Sequence, residues 1–530
     1  YDASGNPVCR DRLVGPPRHL QWRTGPAHTR SHEYTSSIAA VVSANGRIFY
    51  IADEAPTGDL QAASDWQVVA RDAYNGTLLW KRPIPEWFTH LAGWTAVPLE
   101  LQRRLVAVGD RVYVTLGYRA PVSALSAATG ETLHVYEGTA GAGELICRDN
   151  VLFVCVRKES NEQRSAFQHL HQLTAQRDRE LRERDTRRPL IRSFHRGERR
   201  LPHDLLAFDT ESGECLWHLS GRDTTGLRPR SLRAFDGRVT YHHSGRLVCR
   251  ELRDGDVIWS KPWEPLRSAA ADALICWNRE SVRCLAPADG SLVWEQEPVL
   301  HSVRDVFIAG DTVWVGGFKP FDTGRKHSGP PFGPYFVVQR DLKTGRFLRE
   351  IVQENPGHHH RCYSNKATPR FILGGRRGTE FIDLDSGACL WNSWARGVCR
   401  YGVMPANGLL YVPPHSCGCY MTAKLIGFNA LSSTRGISGE GSDGPADGRL
   451  REGAGYGVRG AGPGDGDWAT YRGDSARSGV TDSGVPEEIA PAWRASLPGR
   501  VTPLTVANGT VFAACPDRHE VIALDADSGG

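Results

Sequence analysis

The chain has 530 residues, 40 % of them apolar, with 57 glycines against 2 methionines, a composition that suits a large core crossed by many tight turns. A formal charge of +4 is small for this length and argues against a basic nucleic-acid face. No apolar run approaches the roughly 18 residues that a transmembrane helix needs, and 13 cysteines, mostly scattered singly, exclude a dense disulfide scaffold.

Residues 1–34 precede any repeat and are expected to be a fragment start, a closing strand or a tail. They open on Tyr1 without a signal-peptide pattern. From residue 35 one segment recurs: an alternating strand, a turn, then Gly-x-x-x-Trp. The pairs are Gly76 with Trp80, Gly213 with Trp217, Gly255 with Trp259, Gly290 with Trp294 and Gly387 with Trp391. Weaker copies around Gly130 and Gly345 lack the tryptophan, and one at Gly427 keeps only the strand. Each copy follows a second hairpin signalled by Asn45-Gly46, Gly109-Asp110, Asp236-Gly237, Gly310-Asp311 or Asn407-Gly408. Asn-Gly and Asp-Gly tolerate the positive φ of a two-residue hairpin turn, and the flanking alternation supplies the strands.

A unit is therefore four strands, A to D, and eight units fit within residues 35–433. A ring of such units protects nearly all its strand edges, whereas a linear solenoid would show shorter, more uniform repeats. The expected fold is all-β: an eight-bladed β-propeller of four-stranded blades. Residues 158–200 interrupt the third unit with 12 Lys/Arg against 7 Asp/Glu. Phe167, Leu170, Leu173 and Leu181 form a partial helical stripe there, so this is a surface insertion or an anion-attracting lid. Residues 434–466, with 12 glycines in 33 positions, read as a flexible linker. Residues 467–530 read as the truncated first blade of a second propeller, stopping where a fourth strand is due.

The pattern Ala-x-Asp-x-x-Thr/Ser-Gly-x-x-x-Trp resembles the repeat of the quinoprotein, or PQQ-like, propeller family, over roughly residues 35–433 and again 467–530. The resemblance implies that Trp80, Trp217, Trp259, Trp294 and Trp391 dock between neighbouring blades. The runs Asn365-Lys366-Ala367-Thr368, Arg376-Arg377-Gly378-Thr379-Glu380 and Tyr401-Gly402-Val403-Met404-Pro405 are similar to an uncharacterised branch of that family in planctomycetes and other environmental bacteria. It implies a bacterial, periplasmic or secreted protein. In quinoprotein dehydrogenases a vicinal Cys-Cys disulfide stacks on PQQ, and Glu, Asn and Asp hold calcium. This chain has only Cys417-Gly418-Cys419, and no calcium triad can be placed by motif, so PQQ and calcium are carried to no residue.

Strand direction places each B–C loop and each connection to the next blade at the same end of the ring. Residues 357–420 contribute such loops from three successive blades and hold the densest gathering of His, Cys and Arg. His358, His359, His360, Cys362, Cys399, His415, Cys417 and Cys419 are candidate ligands for a transition metal, since imidazole and thiolate donate well to borderline and soft cations. Their spacing matches no zinc or haem signature. A structural disulfide such as Cys362–Cys417 or Cys399–Cys419, and simple loop packing, are the alternatives. Arg361, Arg376, Arg377, Arg396 and Arg400 are candidates for an anionic cofactor or substrate, including an acidic or sulfated sugar. Arginines capping loop carbonyls are the alternative. Cys155, Cys249 and Cys284 sit in strand-like runs and read as small buried hydrophobes.

Two functions are expected. One is an oxidoreductase-like propeller that binds a metal or redox cofactor and a small anionic substrate on the long-loop face. The other is a non-catalytic scaffold holding a protein partner there, similar to the PQQ-like lipoprotein of outer-membrane assembly.

Overall fold

The structure, a computed structural model, describes residues 3–30, 36–57, 59, 62–87, 102–159, 165, 201–228, 230–262, 267–278, 281–297, 300, 302–319, 334–353, 364–375, 378–398, 401–415, 425–433, 464, 466–474, 476–518 and 520–530. The charged insertion, apart from Lys158, Glu159 and Ser165, and most of the glycine-rich linker lie outside these residues. The chain divides into one compact unit of Tyr1–Gly76 and Lys81–Gly436 and another of Ile437–Gly530 with Thr77–Trp80.

In the first unit the hairpin signals do what turn chemistry demands. Asn45-Gly46, Asp236-Gly237 and Asn407-Gly408 all take positive φ at both turn residues, between 45° and 71°. Eight four-stranded antiparallel sheets result. Their innermost strands, for blades 1 to 8, are Ile38–Ala44, Leu105–Val108, Ala142–Arg148, Arg233–Phe235, Arg267–Ala270, Ser302–Ala309, Lys366–Ala367 and Met404–Ala406. Inner strands of adjacent blades approach each other around the ring. Second strands such as Val151–Arg157 are buried along their whole length, because both faces meet a neighbouring blade. Phe153 and Val151 of blade 3, for instance, share a core with Val239 and Tyr241 of blade 4. Each such side chain contributes about 1.5–3 kcal/mol on burial. Cys155, Cys249 and Cys284 are free thiols within these cores, as expected.

Blade 8 is completed by the other end of the chain. His19–Thr24 forms its outermost strand, antiparallel to Phe428–Ser432, so Trp22 lies opposite Ala430. Residues 3–11 take a different path and run across the inner strands around the central channel. Ala3 O accepts from the Ala234 amide of blade 4 and Ser4 O from the Ala270 amide of blade 5, at 2.9 and 3.0 Å. Asn6 exchanges two hydrogen bonds with Ile308 of blade 6. Pro7 and Cys9 pair with Ala367 of blade 7, and Asp11 accepts from the Gly408 amide of blade 8.

The tryptophans link blades by one repeated contact. The indole N–H of Trp217 donates to Leu252 O, that of Trp259 to Pro287 O and that of Trp294 to Leu342 O, each in the next blade, at 3.2, 2.9 and 2.8 Å. The rings lie over Gly255, Gly290 and Gly345, where a methyl group would come within 2.6–2.7 Å of them. Trp22 does the same for blade 1, donating to Ala73 O at 2.8 Å and covering Gly76. In the copies without tryptophan, His134 covers Gly213 and Arg349 donates to Asp385 O. Trp80 is buried, but Trp391 corrects the expectation of a docked ring: it is 45 % exposed. Its neighbour, blade 8, takes its outer strand from His19–Thr24 and so has no Gly-x-x-x-Trp turn to receive it.

The second unit contains a three-stranded antiparallel sheet of Thr505–Ala507, Thr510–Cys515 and Glu520–Asp525. Trp493 repeats the docking contact within it, donating to Ala526 O at 2.8 Å above Gly529. Among the described residues no helix is long and apolar enough to cross a membrane.

Candidate functional site

A cavity of about 350 Å³ opens where the inner strands of blades 2 to 6 begin. Each inner strand starts beside a connection from the previous blade, so this is the end of the ring expected to carry the long loops. Single arginines standing at or just before those strands converge on it: Arg103, Arg228, Arg230, Arg233, Arg267 and Arg304. Arg228 and Arg267 are exposed at the rim, Arg103, Arg230 and Arg304 are half-buried, and Arg233 is buried at the base. Against these six stand Asp305 in the wall and buried Glu144, which pairs with Arg103 and accepts from the Arg230 amide.

Arg233 is fixed by its surroundings. Its Nε donates to Ser268 O at 2.7 Å, and its Nη1 donates to Leu232 O and Arg230 O at 2.6 and 3.1 Å. Burial, with Arg103 adding repulsion, lowers its pKa to about 10. Gly5 of the N-terminal segment lies directly against it, since a β-carbon there would fall 2.1 Å from Arg233 Nε. Gly5 and Pro7 line this cavity, while Ser4, Asn6 and Val8 line a second one, of about 950 Å³, beside the turns at Asp236 and Gly310. Alternation along an extended segment explains the division. The N-terminal segment thus forms a partition between the two spaces.

Three uncharged side chains complete the wall. Gln102, His242 and Ser268 are 4 %, 2 % and 1 % exposed. The Gln102 amide, both ring nitrogens of His242 and the Ser268 hydroxyl have no hydrogen-bond partner among the described residues. A buried polar group in that condition costs about 1–3 kcal/mol, so such groups cluster where something else is meant to bind them. Burial, reinforced by Arg233 and Arg228, lowers the His242 pKa to about 3, leaving a neutral imidazole at ordinary pH. Asp305 is positioned by Tyr335, whose hydroxyl donates to Oδ2 at 2.9 Å, and by the Asn365 amide, which donates to Oδ1 at 3.1 Å. Burial nevertheless raises its pKa, against those donors and the charges of Arg267 and Arg304. The site can therefore attract negative charge, donate through guanidinium forks and accept hydrogen bonds at one carboxylate.

Of the residues singled out in the sequence as site candidates, only Arg396 and His415 are described. His358, His359, His360, Arg361, Cys362, Arg376, Arg377, Cys399, Arg400, Cys417 and Cys419 lie outside the described residues. Arg396 is 2 % exposed and donates to Gly375 O at 3.1 Å, the carbonyl-capping role. His415 is half-buried just after Leu409–Val412. Among the described residues no three His, Cys, Asp or Glu side chains converge as a metal would require. With no adjacent cysteines in the sequence, a quinone seated on a vicinal disulfide does not fit this chain. The arginine cavity escaped notice because its members are isolated in sequence. Its signal was there nonetheless, as an arginine recurring at or near the start of the inner strands of blades 2, 4, 5 and 6.

Comparison with known proteins bears on the repeats. The family model described as outer membrane protein assembly factor BamB matches residues 163–273. No curated protein matches the chain. Among solved structures, BamB from Moraxella catarrhalis is similar at 13 % identity, covering 74 % of this chain and 94 % of its own, with a TM-score of 0.42. A quinohemoprotein alcohol dehydrogenase from Comamonas testosteroni is similar at 10 % identity, covering 82 % of this chain and 78 % of its own, with a TM-score of 0.46. The computationally designed Ika8 protein is similar at 12 % identity, covering 76 % of this chain and 98 % of its own, with a TM-score of 0.46. The family match over residues 163–273, with the turn and tryptophan that recur through the blades, makes the chain similar to PQQ-like repeat proteins.

Proposed function

We propose that this propeller is a binding protein for a small anionic molecule, taken into the arginine-lined cavity at the mouth of the ring. One observation carries the proposal: six arginines converge there around three buried polar side chains that have no hydrogen-bond partner among the described residues. Guanidinium groups favour carboxylate, sulfate and phosphate, whose paired oxygens match their fork. The N-terminal partition makes the cavity a cup, which suits capture of a discrete ligand. A periplasmic or secreted location belongs to the proposal and is supported by the family resemblance.

Titration calorimetry of the full chain with sulfate, phosphate and small carboxylates tests this reading. Replacing both Arg267 and Arg304 by alanine is expected to weaken anion binding tenfold or more, about 1.4 kcal/mol for each factor of ten. Absence of anion binding, or binding indifferent to both substitutions, would overturn it. Capture of a protein through the same face, with no small anion bound, would favour a scaffold instead.

A further inference from the structure

We propose that the anion is an acidic sugar, a single pyranose ring bearing a carboxylate, an inference that rests on the anion-binding function above. Asp305 is the deciding residue. A site for inorganic sulfate gains nothing from a carboxylate in its wall, because two anions repel at close range and sulfate has no hydrogen to donate. Here Asp305 lines the cavity together with Arg267 and Arg304, and is held there by Tyr335 and the Asn365 amide. Each of its oxygens retains a lone pair beyond those two hydrogen bonds. The ligand must therefore present hydrogen-bond donors as well as negative charge, and the hydroxyls of a sugar supply them.

The rest of the wall agrees. Gln102 offers two donors and an acceptor, and Ser268 offers a hydroxyl. Neutral His242 offers one donor and one acceptor. This mixture suits a ring of hydroxyl groups, each both donor and acceptor, better than a simple anion, which only accepts. Trp277 also lines the cavity and is 6 % exposed. Arg228 and Arg267, exposed at the rim, are placed to take the carboxylate. The volume, about 350 Å³, lies near the lower limit of ordinary ligand pockets and suits one ring with its solvation rather than a polymer.

The test compares four probes on the full chain by calorimetry: galacturonate, glucuronate, neutral galactose and inorganic sulfate. At least one uronate is expected to bind tenfold or more tighter than both galactose and sulfate. Asp305→Asn is expected to weaken uronate binding tenfold or more while leaving sulfate binding unchanged or stronger. Arg267→Ala, at an exposed position where folding is not at stake, should weaken uronate and sulfate together. Sulfate binding as tight as the tighter-binding uronate would overturn the sugar assignment and leave the anion-binding function standing. Galactose equal to the uronates would overturn the role of the charge, and failure of all four would overturn both proposals. If Asp305→Asn fails to fold, the ranking of the four probes on the unaltered protein still decides.

Discussion

Replacing Gly290 by alanine would measure how much one tryptophan docking contact holds neighbouring blades together. Gly290 sits in a turn of blade 5 at φ +67°, and a β-carbon there would lie 2.7 Å from Trp259 Cδ2 and 2.8 Å from Cε3. The ring cannot retreat freely, because Trp259 is 7 % exposed and its N–H is bonded to Pro287 O at 2.9 Å. Two costs combine: about 1–2 kcal/mol for an L-residue in left-handed backbone, and about 1–3 kcal/mol for overpacking against the ring. Gly237 provides the control. Its φ is also +67°, but nothing lies within 4 Å of its built β-carbon. Gly237→Ala should therefore lose only the backbone share, and the two variants should differ by about 1–3 kcal/mol. Guanidinium unfolding of both full-length variants, followed by tryptophan fluorescence, gives the comparison. Equal destabilisation would refute the docking interpretation, since conformational strain alone would then account for both.

Two other perturbations address the interior. The Arg30–Asp53 pair is buried, with a 3.0 Å contact, and Arg30 Nη2 also donates to Asp59 O at 2.8 Å. Arg30→Ala leaves Asp53 charged and buried, so unfolding in denaturant should register a loss of about 3–5 kcal/mol; a loss below about 1 kcal/mol would show that the pair is dispensable. The pH dependence of stability should expose His242, whose pKa falls from about 6.5 unfolded to about 3 folded. Between those values the unfolded chain binds the proton that the folded protein refuses, so stability declines as pH drops through that window and is unaffected above it. Melting temperatures of the native protein and His242→Gln, taken from pH 8 to about 3.5, should diverge below about pH 6.5, with the variant losing less. Parallel curves would contradict the buried, neutral imidazole.

The repeated architecture was legible because it is written in local chemistry. Asn45-Gly46 and Asp236-Gly237 specify hairpins within a few residues, and the Gly-x-x-x-Trp copies at Trp217, Trp259 and Trp294 fix a turn together with the ring that covers the next blade's turn. What eluded the sequence is assembled across blades. Trp22 takes part in docking only because His19–Thr24 closes blade 8, and Trp391 is left exposed for the same reason. Arg267 and Arg304 are far apart in sequence yet line one cavity, whereas most of the conspicuous His, Cys and Arg residues between His358 and Cys419 lie outside the described residues. The described cavity gathers residues from several strands, which no local density along the chain announces. Buried atoms without partners, such as the His242 ring nitrogens, leave no trace in a sequence at all.

The path of the N-terminal residues also dictates an order of events during synthesis. Residues 3–11 lie inside the channel while His19–Thr24 lies on the outside of blade 8, so one continuous stretch passes from the axis of the ring to its perimeter. The partner of that outer strand, Phe428–Ser432, leaves the ribosome roughly 400 residues later. Until then the leading stretch must wait without its final neighbours, and the closing pairing has a very long loop to span. A circular permutant opened at an exposed turn between two other blades would make that closure local, and would convert the slowest pairing of the assembly into an ordinary hairpin.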